Sequence, residues 1–369
     1  MQIVLQSKQL LQALEATKPA VGDGKLIPIT ECVRILVEGK TMTFTTTDTL
    51  NQITFTIQTD QAADALMYVP HKLLLELLKN IGNTPLLLKH DAETNEMQIT
   101  ANKVNSYRIA LNSNEDLWPV FDEDQSDSDV VVENVVSVKN ALEQVNWSAS
   151  KDELRPAMNC VYVELDMKFV AVSGRTFASR SVATANKLPW PILLFARSVK
   201  VWLATLPKEG QATLSVWENH AKIKVDNLSI VSRLCVEKYP DYKAIAAKVL
   251  PHKCVIDRQI WLLALKRAAL FANKDKPDMA LKIISPQYVQ LSVENLNTAH
   301  QCHEELPMIS SSEEMIEISF SVNDWIGALE SFEENSLTFS YLNAQTPVLL
   351  ENAVDYVLIT AQADNSYYQ

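Results

Sequence analysis

The feature that most constrains this fold is an order of elements recurring three times, at a spacing of roughly 120–130 residues. Each copy opens with a short amphipathic helix and runs into a hairpin-rich stretch. A second short helix follows, then more strands. A helix with one apolar stripe and strands with one apolar face must bury those surfaces against each other. Three such copies in tandem therefore predict three repeated α+β domains, each with two short helices packed on antiparallel sheets.

In the first copy SKQLLQALEAT (7–17) puts Leu10, Leu11 and Leu14 on one face and Gln9, Gln12 and Ala16 opposite. ECVRILVEG and TMTFTTTD alternate apolar and polar residues as half-buried strands do, and are read as a hairpin turning at Gly39–Lys40. HKLLLELLKN begins just after Pro70, a residue suited to a helix start, and TPLLLKH then turns through DAETNE into MQITAN. The second copy repeats the order. SVKNALEQVNW (137–147) buries Val138, Ala141, Leu142 and Val145 and exposes Lys139, Glu143 and Asn146. The hairpin NCVYVEL to KFVAVS leads to the helix ARSVKVWLATL (196–206) and then to TLSVWENHAKIKVDN. In the third copy the helices are DRQIWLLALKRAALFAN (257–273) and NDWIGALESF (323–332), with the hairpin MALKIIS to YVQLSVEN between them. LTFSYLN, PVLLEN and DYVLITA follow as strands.

Boundaries fall where composition changes. Residues 113–129, SNEDLWPVFDEDQSDSD, form an acidic connection, and 237–253, EKYPDYKAIAAKVLPHK, a proline-bracketed one. The division expected is 1–124, 130–250 and 252–369. With 47% hydrophobic and 21% charged residues the chain can build sizeable cores without metal or disulfide support. Its five cysteines, Cys32, Cys160, Cys235, Cys254 and Cys302, are scattered and form no CxxC pair, so free thiols in a reducing compartment are expected. No apolar run approaches the ~18 residues needed to cross a bilayer. The opening MQIVLQSKQLLQ lacks the pattern of a signal peptide, and a cytoplasmic location is expected.

Several chemistries lack support. Glycine is scarce, at seven residues, and neither GxGxxG nor GxxxxGK[ST] is present. No G-x-S-x-G elbow occurs. Carboxylate pairs such as Asp122/Glu123 and Glu333/Glu334 are neighbours in charge runs, which does not place two carboxylates on one cleft. His300-Gln-Cys-His303 gathers three soft ligands, but no second cluster completes a metal site, and no cofactor is expected. The formal charge of -12 argues against a protein that grips phosphates, because counterion release supplies much of that affinity. It leaves room for a protein that surrounds DNA without holding it tightly.

The repeat, together with several local strings, resembles the bacterial DNA polymerase III β subunit family, the sliding clamps. The strings are LIPI (26–29) followed by TTTDT (45–49), WPVFDED (118–124), VAVSGRTFA (170–178) and KYPDY with VLP (238–251). The resemblance covers essentially the whole chain. It implies a head-to-tail homodimer closed into a ring around duplex DNA, acting as a non-catalytic processivity factor that tethers a DNA polymerase and is placed by a clamp loader. Lys72, Lys79, Lys139, Arg197, Lys200 and Lys266, on polar helix faces, are then the expected DNA-facing cations, although solvation alone also accounts for charged helix faces. The last helix departs from this, with Asn323, Gly327, Glu330 and Glu334 on its polar face.

The resemblance also implies a pocket for partner peptides between the second and third domains. The matching positions are Met158, Gly174, Arg175, Phe177, Pro240, Ile245, Val357, Leu358 and Ile359, and ordinary packing is the alternative for each. The usual Thr-Asp-Gly-His-Arg-Leu string reads Val172 to Phe177 here, a C-terminal Met-Pro-Met ending is replaced by ITAQADNSYYQ, and Asp324 stands where a gating tyrosine is expected. For ring closure the matching positions are Tyr107, Leu270 and Phe271, with core packing as the alternative. Two other functions remain open: a clamp-like paralogue serving a different partner with reduced DNA loading, and a hydrolytic enzyme.

Overall fold

The computed structural model describes residues 2–121, 129–152, 154–243, 250–311, 316–352 and 356–359. The first repeat contains β1 (Gln2–Gln6), α1 (Ser7–Thr17), β2 (Cys32–Thr47), β3 (Asn51–Pro70), α2 (His71–Ile81), β4 (Pro85–Asp91), β5 (Glu96–Ala101) and β6 (Asn105–Ala110). The second contains β7 (Asp129–Val132), α3 (Val135–Asn146), β8 (Cys160–Val163), β9 (Lys168–Val172), β10 (Thr176–Ser181), β11 (Ile192–Phe195), α4 (Ala196–Thr205), β12 (Ala212–Trp217), β13 (His220–Val225) and β14 (Leu228–Arg233). The third contains β15 (His252–Asp257), α5 (Arg258–Ala269), β16 (Asp278–Ser285), β17 (Tyr288–Asn295), β18 (His300–Ser311), β19 (Glu317–Ser321), α6 (Val322–Glu330), β20 (Ser336–Tyr341), β21 (Val348–Glu351) and β22 (Tyr356–Ile359). The fold is α+β, and its helices are those read from the sequence, to within a few residues at each end.

Two compact units divide the chain, one of 1–139, 184–189 and 197–234, the other of 140–183, 190–196 and 235–369. The division runs through the second repeat. In the first unit one sheet has the order β1-β4-β5-β6 and another the order β2-β3-β14-β13-β12-β7. The second unit carries one continuous sheet, β11-β8-β9-β10-β22-β21-β20-β15-β18-β17-β16-β19. All described pairings are antiparallel.

The helices pack by the faces their periodicity sets. In α2 the leucine face is buried through Leu74, Leu75 and Leu78, each contributing about 1.5–3 kcal/mol, while Lys72, Glu76 and Lys79 stay in solvent. In α3 the buried residues are Val138, Ala141, Leu142 and Val145, as expected. The cores are closed by tryptophans: Trp202 in the first unit and, in the second, Trp261 and Trp325 with ring centroids 5.7 Å apart. Asp257 caps α5 by accepting from Ile260 N. α5 ends at Ala269, before the expected 273: the N–H groups of Leu270, Phe271 and Ala272 donate to carbonyls three residues back, and Asn273 then turns the chain by accepting from the N–H of Asp275 and Lys276.

One local expectation fails. Gly39–Lys40 is no hairpin turn: β2 runs through it with a register shift, and Gly39 sits at φ 57°, a bulge conformation that glycine adopts without strain. The reversal falls at Asp48–Leu50, where the Asp48 carboxylate accepts the N–H groups of Leu50 and Asn51.

Candidate functional site

Three groups of residues carry the functional expectations: basic helix faces, a largely buried aromatic cluster and open sheet edges. Among the basic residues, Lys72 and Lys200 are exposed on α2 and α4. Lys79 is exposed but sits 3.5 Å from Glu76 one turn earlier. Arg197, at the start of α4, pairs at 3.2 Å with Asp48, whose side chain is 6% exposed. Lys266 on α5 pairs at 2.6 Å with Glu330 on α6. Lys139 does not face outward as its helix position implied. It is half-buried and donates at 3.0 Å to the carbonyl of Leu206, just past α4, because a helix end leaves carbonyls that need a donor. The last helix, α6, carries no cation.

Beside the Lys266–Glu330 pair, within the second unit, lies a groove of about 370 Å³ lined by Asn140, Glu143, Gln144 and Trp147 of the α3 segment and by Gly327, Glu330, Ser331 and Glu333. Asn140 Nδ2 donates to Glu333 at 3.1 Å. Trp147 lies so close to α6 that a Cβ at position 327 would stand 2.6 Å from its ring, which is why a glycine interrupts that helix. Glu334, expected on the helix face, lies beyond the end of α6.

The aromatic cluster is built by Phe177, Tyr162, Tyr239 and Tyr242. Phe177 stacks on Tyr242 at 5.3 Å and Tyr162 on Tyr239 at 4.8 Å, and Met158 and Leu349 pack against the same cluster. Pro240, half-buried, lies between the two tyrosines in the chain. Lys168 and Lys243 stand 6.0 and 5.9 Å from the Tyr242 ring. Burial alone would raise the Glu164 carboxyl, but the Lys243 ammonium, 2.9 Å away, and Tyr242 hold it below the usual range. Met158, Phe177 and Pro240 are thus brought together.

Val357 and Ile359 are not part of that cluster. In the ladder Phe177 stands opposite Leu358, whereas Ala178 stands opposite Val357 and Thr176 opposite Ile359. Residues directly opposite share a sheet face and successive residues alternate. Val357 and Ile359 are therefore fully buried on the other face, the one where Thr176 bonds Ser148 at the end of the α3 segment. Ile245 and the side chain of Leu358 lie outside the described residues. Gly174 and Arg175 occupy the β9–β10 turn, where Ser173 Oγ accepts the N–H groups of Arg175 and Thr176. Arg175 reaches Asp324 in the first turn of α6 at 3.3 Å. Burial raises the Asp324 carboxyl, and the Arg175 charge opposes that shift. Asp324 is thus the carboxylate of an ion pair where a gating tyrosine was expected.

The third group lies at sheet edges. Tyr107 is half-buried on β6, the last strand of its sheet. Leu270 and Phe271 follow α5, with Leu270 81% exposed. Sequence reasoning missed Ile260 and Leu263, exposed on α5 about three and two turns before Leu270; their spacing from it was the available signal. His300 and Cys302 alternate with Gln301 and His303 along β18, so its soft ligands point to opposite faces, and among the described residues no group of three metal-ligating side chains gathers.

Comparison with known proteins accounts for this combination of repeated helices and sheets. The model of the DNA polymerase III beta subunit N-terminal domain matches residues 1–117, and that of its C-terminal domain matches 248–362, together more than half of the chain. The chain belongs to the DNA polymerase III beta subunit family. It is 20% identical over 361 residues to the beta sliding clamp of Pseudomonas putida, covering 96% of each chain. The solved sliding clamp of Bacillus subtilis superposes with a TM-score of 0.89 at 18% identity, covering 99% of each chain. The beta subunit of Thermotoga maritima does so with a TM-score of 0.87 at 17% identity, covering 98% of this chain and 99% of that one. Family membership carries a sliding-clamp function. No helix among the described residues is long and apolar enough to cross a membrane.

Proposed function

We propose that this family member closes head to tail with a second copy into a ring around duplex DNA, and there tethers a DNA polymerase as a non-catalytic processivity factor in the cytoplasm. One observation carries the reading. The chain makes the same strand junction twice and leaves the parts of a third unpaired. In the first unit β3, following a hairpin turn, pairs with β14, the last strand of its hairpin. In the second unit β10, also following a hairpin turn, pairs with β22, again a last strand. The equivalent strands for a third junction are β18 and β6. Residues 300–307 of β18 pair with β17 alone, and β6 pairs with β5 alone, among the described residues. Open edges of this length invite another strand. One chain cannot satisfy a head-to-tail pattern at its own ends, and a second copy does so with closure.

On this reading the domains are 1–124, 130–250 and 252–369, each junction joining one to the next. Lys72, Lys79, Arg197, Lys200 and Lys266 face the DNA, with Lys139 positioning α4 behind them. Phe177, Met158, Pro240 and the neighbouring tyrosines receive the apolar anchors of partner peptides, including those of polymerase and loader. The decisive experiment is retention on DNA after treatment with a clamp loader. Persistence on circular DNA and loss on linearisation is the result expected; equal loss from both overturns encirclement. A second reading, a paralogue with reduced loading, is favoured by the ion pair at Asp324 and the acidic α6, and the same assay separates it by ring formation without retention.

A further inference from the structure

Four of the six cations expected to face DNA have a close partner, and their neighbours form a pattern. Lys79 has Glu76 at 3.5 Å, Arg197 has Asp48 at 3.2 Å and Lys266 has Glu330 at 2.6 Å. Lys139 is turned to a carbonyl. Lys72 and Lys200 carry no ion pair among the described residues. Glu143 and Glu333 add further carboxylates beside the Lys266 pair.

Exposed pairs of this kind contribute little to stability. Their effect on an approaching phosphate is another matter. A cation with a carboxylate within 4 Å presents almost no net charge at the distances over which phosphates are attracted, about 10 Å at 0.1 M salt. Asp48 is fixed in place by the N–H groups of Leu50 and Asn51, so it cannot swing away as DNA arrives. We propose that Glu76, Asp48 and Glu330 act as neutralising partners that set the ring's grip on DNA, leaving Lys72 and Lys200 as its main free charges. The inference rests on the reading that these helix faces meet DNA. Its consequence is a clamp that slides on DNA with weak dependence on salt, consistent with the overall charge of -12.

Binding of the full chain to a fluorescent linear duplex, followed across a salt series, tests this. Each phosphate neutralised contributes about 0.9 to the slope of log affinity against log salt. The protein itself should show a shallow slope. The double variant Glu76→Gln, Glu330→Gln, altered only at exposed carboxylates, should bind more tightly at low salt. Its slope should steepen by roughly 1 for each freed lysine. An unchanged slope, with folding and dimer intact by sedimentation and circular dichroism, overturns the proposal. The control is Lys72→Ala, Lys200→Ala. If that variant loses slope while the glutamine variant gains none, the helix faces meet DNA and only the neutralising role is wrong. If it leaves affinity and slope untouched, the helix faces do not meet DNA, and the proposal falls with that reading.

Discussion

Asp48, in the turn between β2 and β3, is tied to Arg197 at one end of α4 directly and to Trp202 of the same helix through two buried side chains. Trp202 Nε1 donates to Ser232 Oγ at 2.9 Å, Ser232 Oγ donates to Asn51 Oδ1 at 2.7 Å, and Asn51 Nδ2 donates to Asp48. Ser232 and Asn51 are fully buried. The TTTDT string is thereby explained: its aspartate shapes the turn and anchors the helix of the next repeat. Replacing Asn51 by alanine leaves the Ser232 hydroxyl and the Asp48 carboxylate short of partners, a loss of about 2–3 kcal/mol. Arg197→Ala removes only the exposed end and should lose less than about 1 kcal/mol. Urea unfolding of both variants checks the order, and equal losses would contradict this network.

His71 supplies a pH test. Its imidazole is buried at the start of α2 and bonds the Leu14 carbonyl at 2.9 Å. Burial lowers its pKa, and the Leu14 carbonyl only partly offsets that. The folded protein therefore prefers neutral His71, while the unfolded chain takes up a proton near the ordinary histidine value of about 6.5. Stability is full above that value and falls as pH drops below it, until the folded form also protonates. His90 shifts in the same direction, with burial again the largest cause, and adds to the slope. Unfolding followed between about pH 7.5 and 5.5 should show this fall, above the range where ordinary carboxylates titrate. His71→Gln should flatten it, and an unaltered profile would remove His71 as its source.

Much of this was legible in the sequence because periodicity reports burial directly. The leucines of α2, the buried face of α3 and the turn at Pro286–Gln287 follow from spacing and turn chemistry alone. What could not be read depends on partners distant in the chain. Lys139 sits on the polar side of its helix, yet its donor finds a carbonyl 67 residues away. Val357 and Ile359 neighbour Leu358, but strand pairing decides which of them share a face with Phe177. Gly39 reads as a turn from its residue type, and only the register with β3 distinguishes a bulge. The pairing of Arg175 with Asp324 joins two positions that the family resemblance treated separately.

That ion pair has its own pH signature. Asp324 is largely buried and its carboxyl raised by that burial, with Arg175 lessening the shift. A carboxyl raised in the folded state stabilises fully below its unfolded range and loses that contribution as pH rises through the folded value. Removing Arg175 raises it further. Arg175→Ala should therefore lose about 1 kcal/mol near pH 8, a modest figure because the guanidinium is 56% exposed. The loss should shrink towards pH 4, as the raised carboxyl takes up its proton. Adding Asp324→Asn should abolish the difference between the two pH values. Thermal unfolding of the single and double variants measures it, and a loss independent of pH would assign Arg175 a role apart from Asp324.

Leu263 and Leu270 test where the third junction is covered. On α3, Asn140, Gln144 and Trp147 are the positions that face the α6 segment across the groove. Counting from the first residue of each helix, Val135 and Arg258, the matching positions on α5 are Leu263, Arg267 and Leu270. Arg267 is already held by Glu304 of β18 at 2.9 Å, which fixes this face beside the open strand edge. Leu263 and Leu270 are 59% and 81% exposed, an unusual cost for two leucines unless a partner covers them. Leu270→Glu with Phe271→Glu should give a folded monomer, since neither side chain supports the described core to the extent that Trp261 or Leu265 does. Leu263→Glu alone should weaken the dimer, by roughly tenfold or more in dissociation constant if about 1.4 kcal/mol or more of apolar contact is lost. Sedimentation at several concentrations reads both. A dimer as strong as the parent in the double variant would place the junction elsewhere, and a change with Leu270 but none with Leu263 would confine the contact to the end of α5.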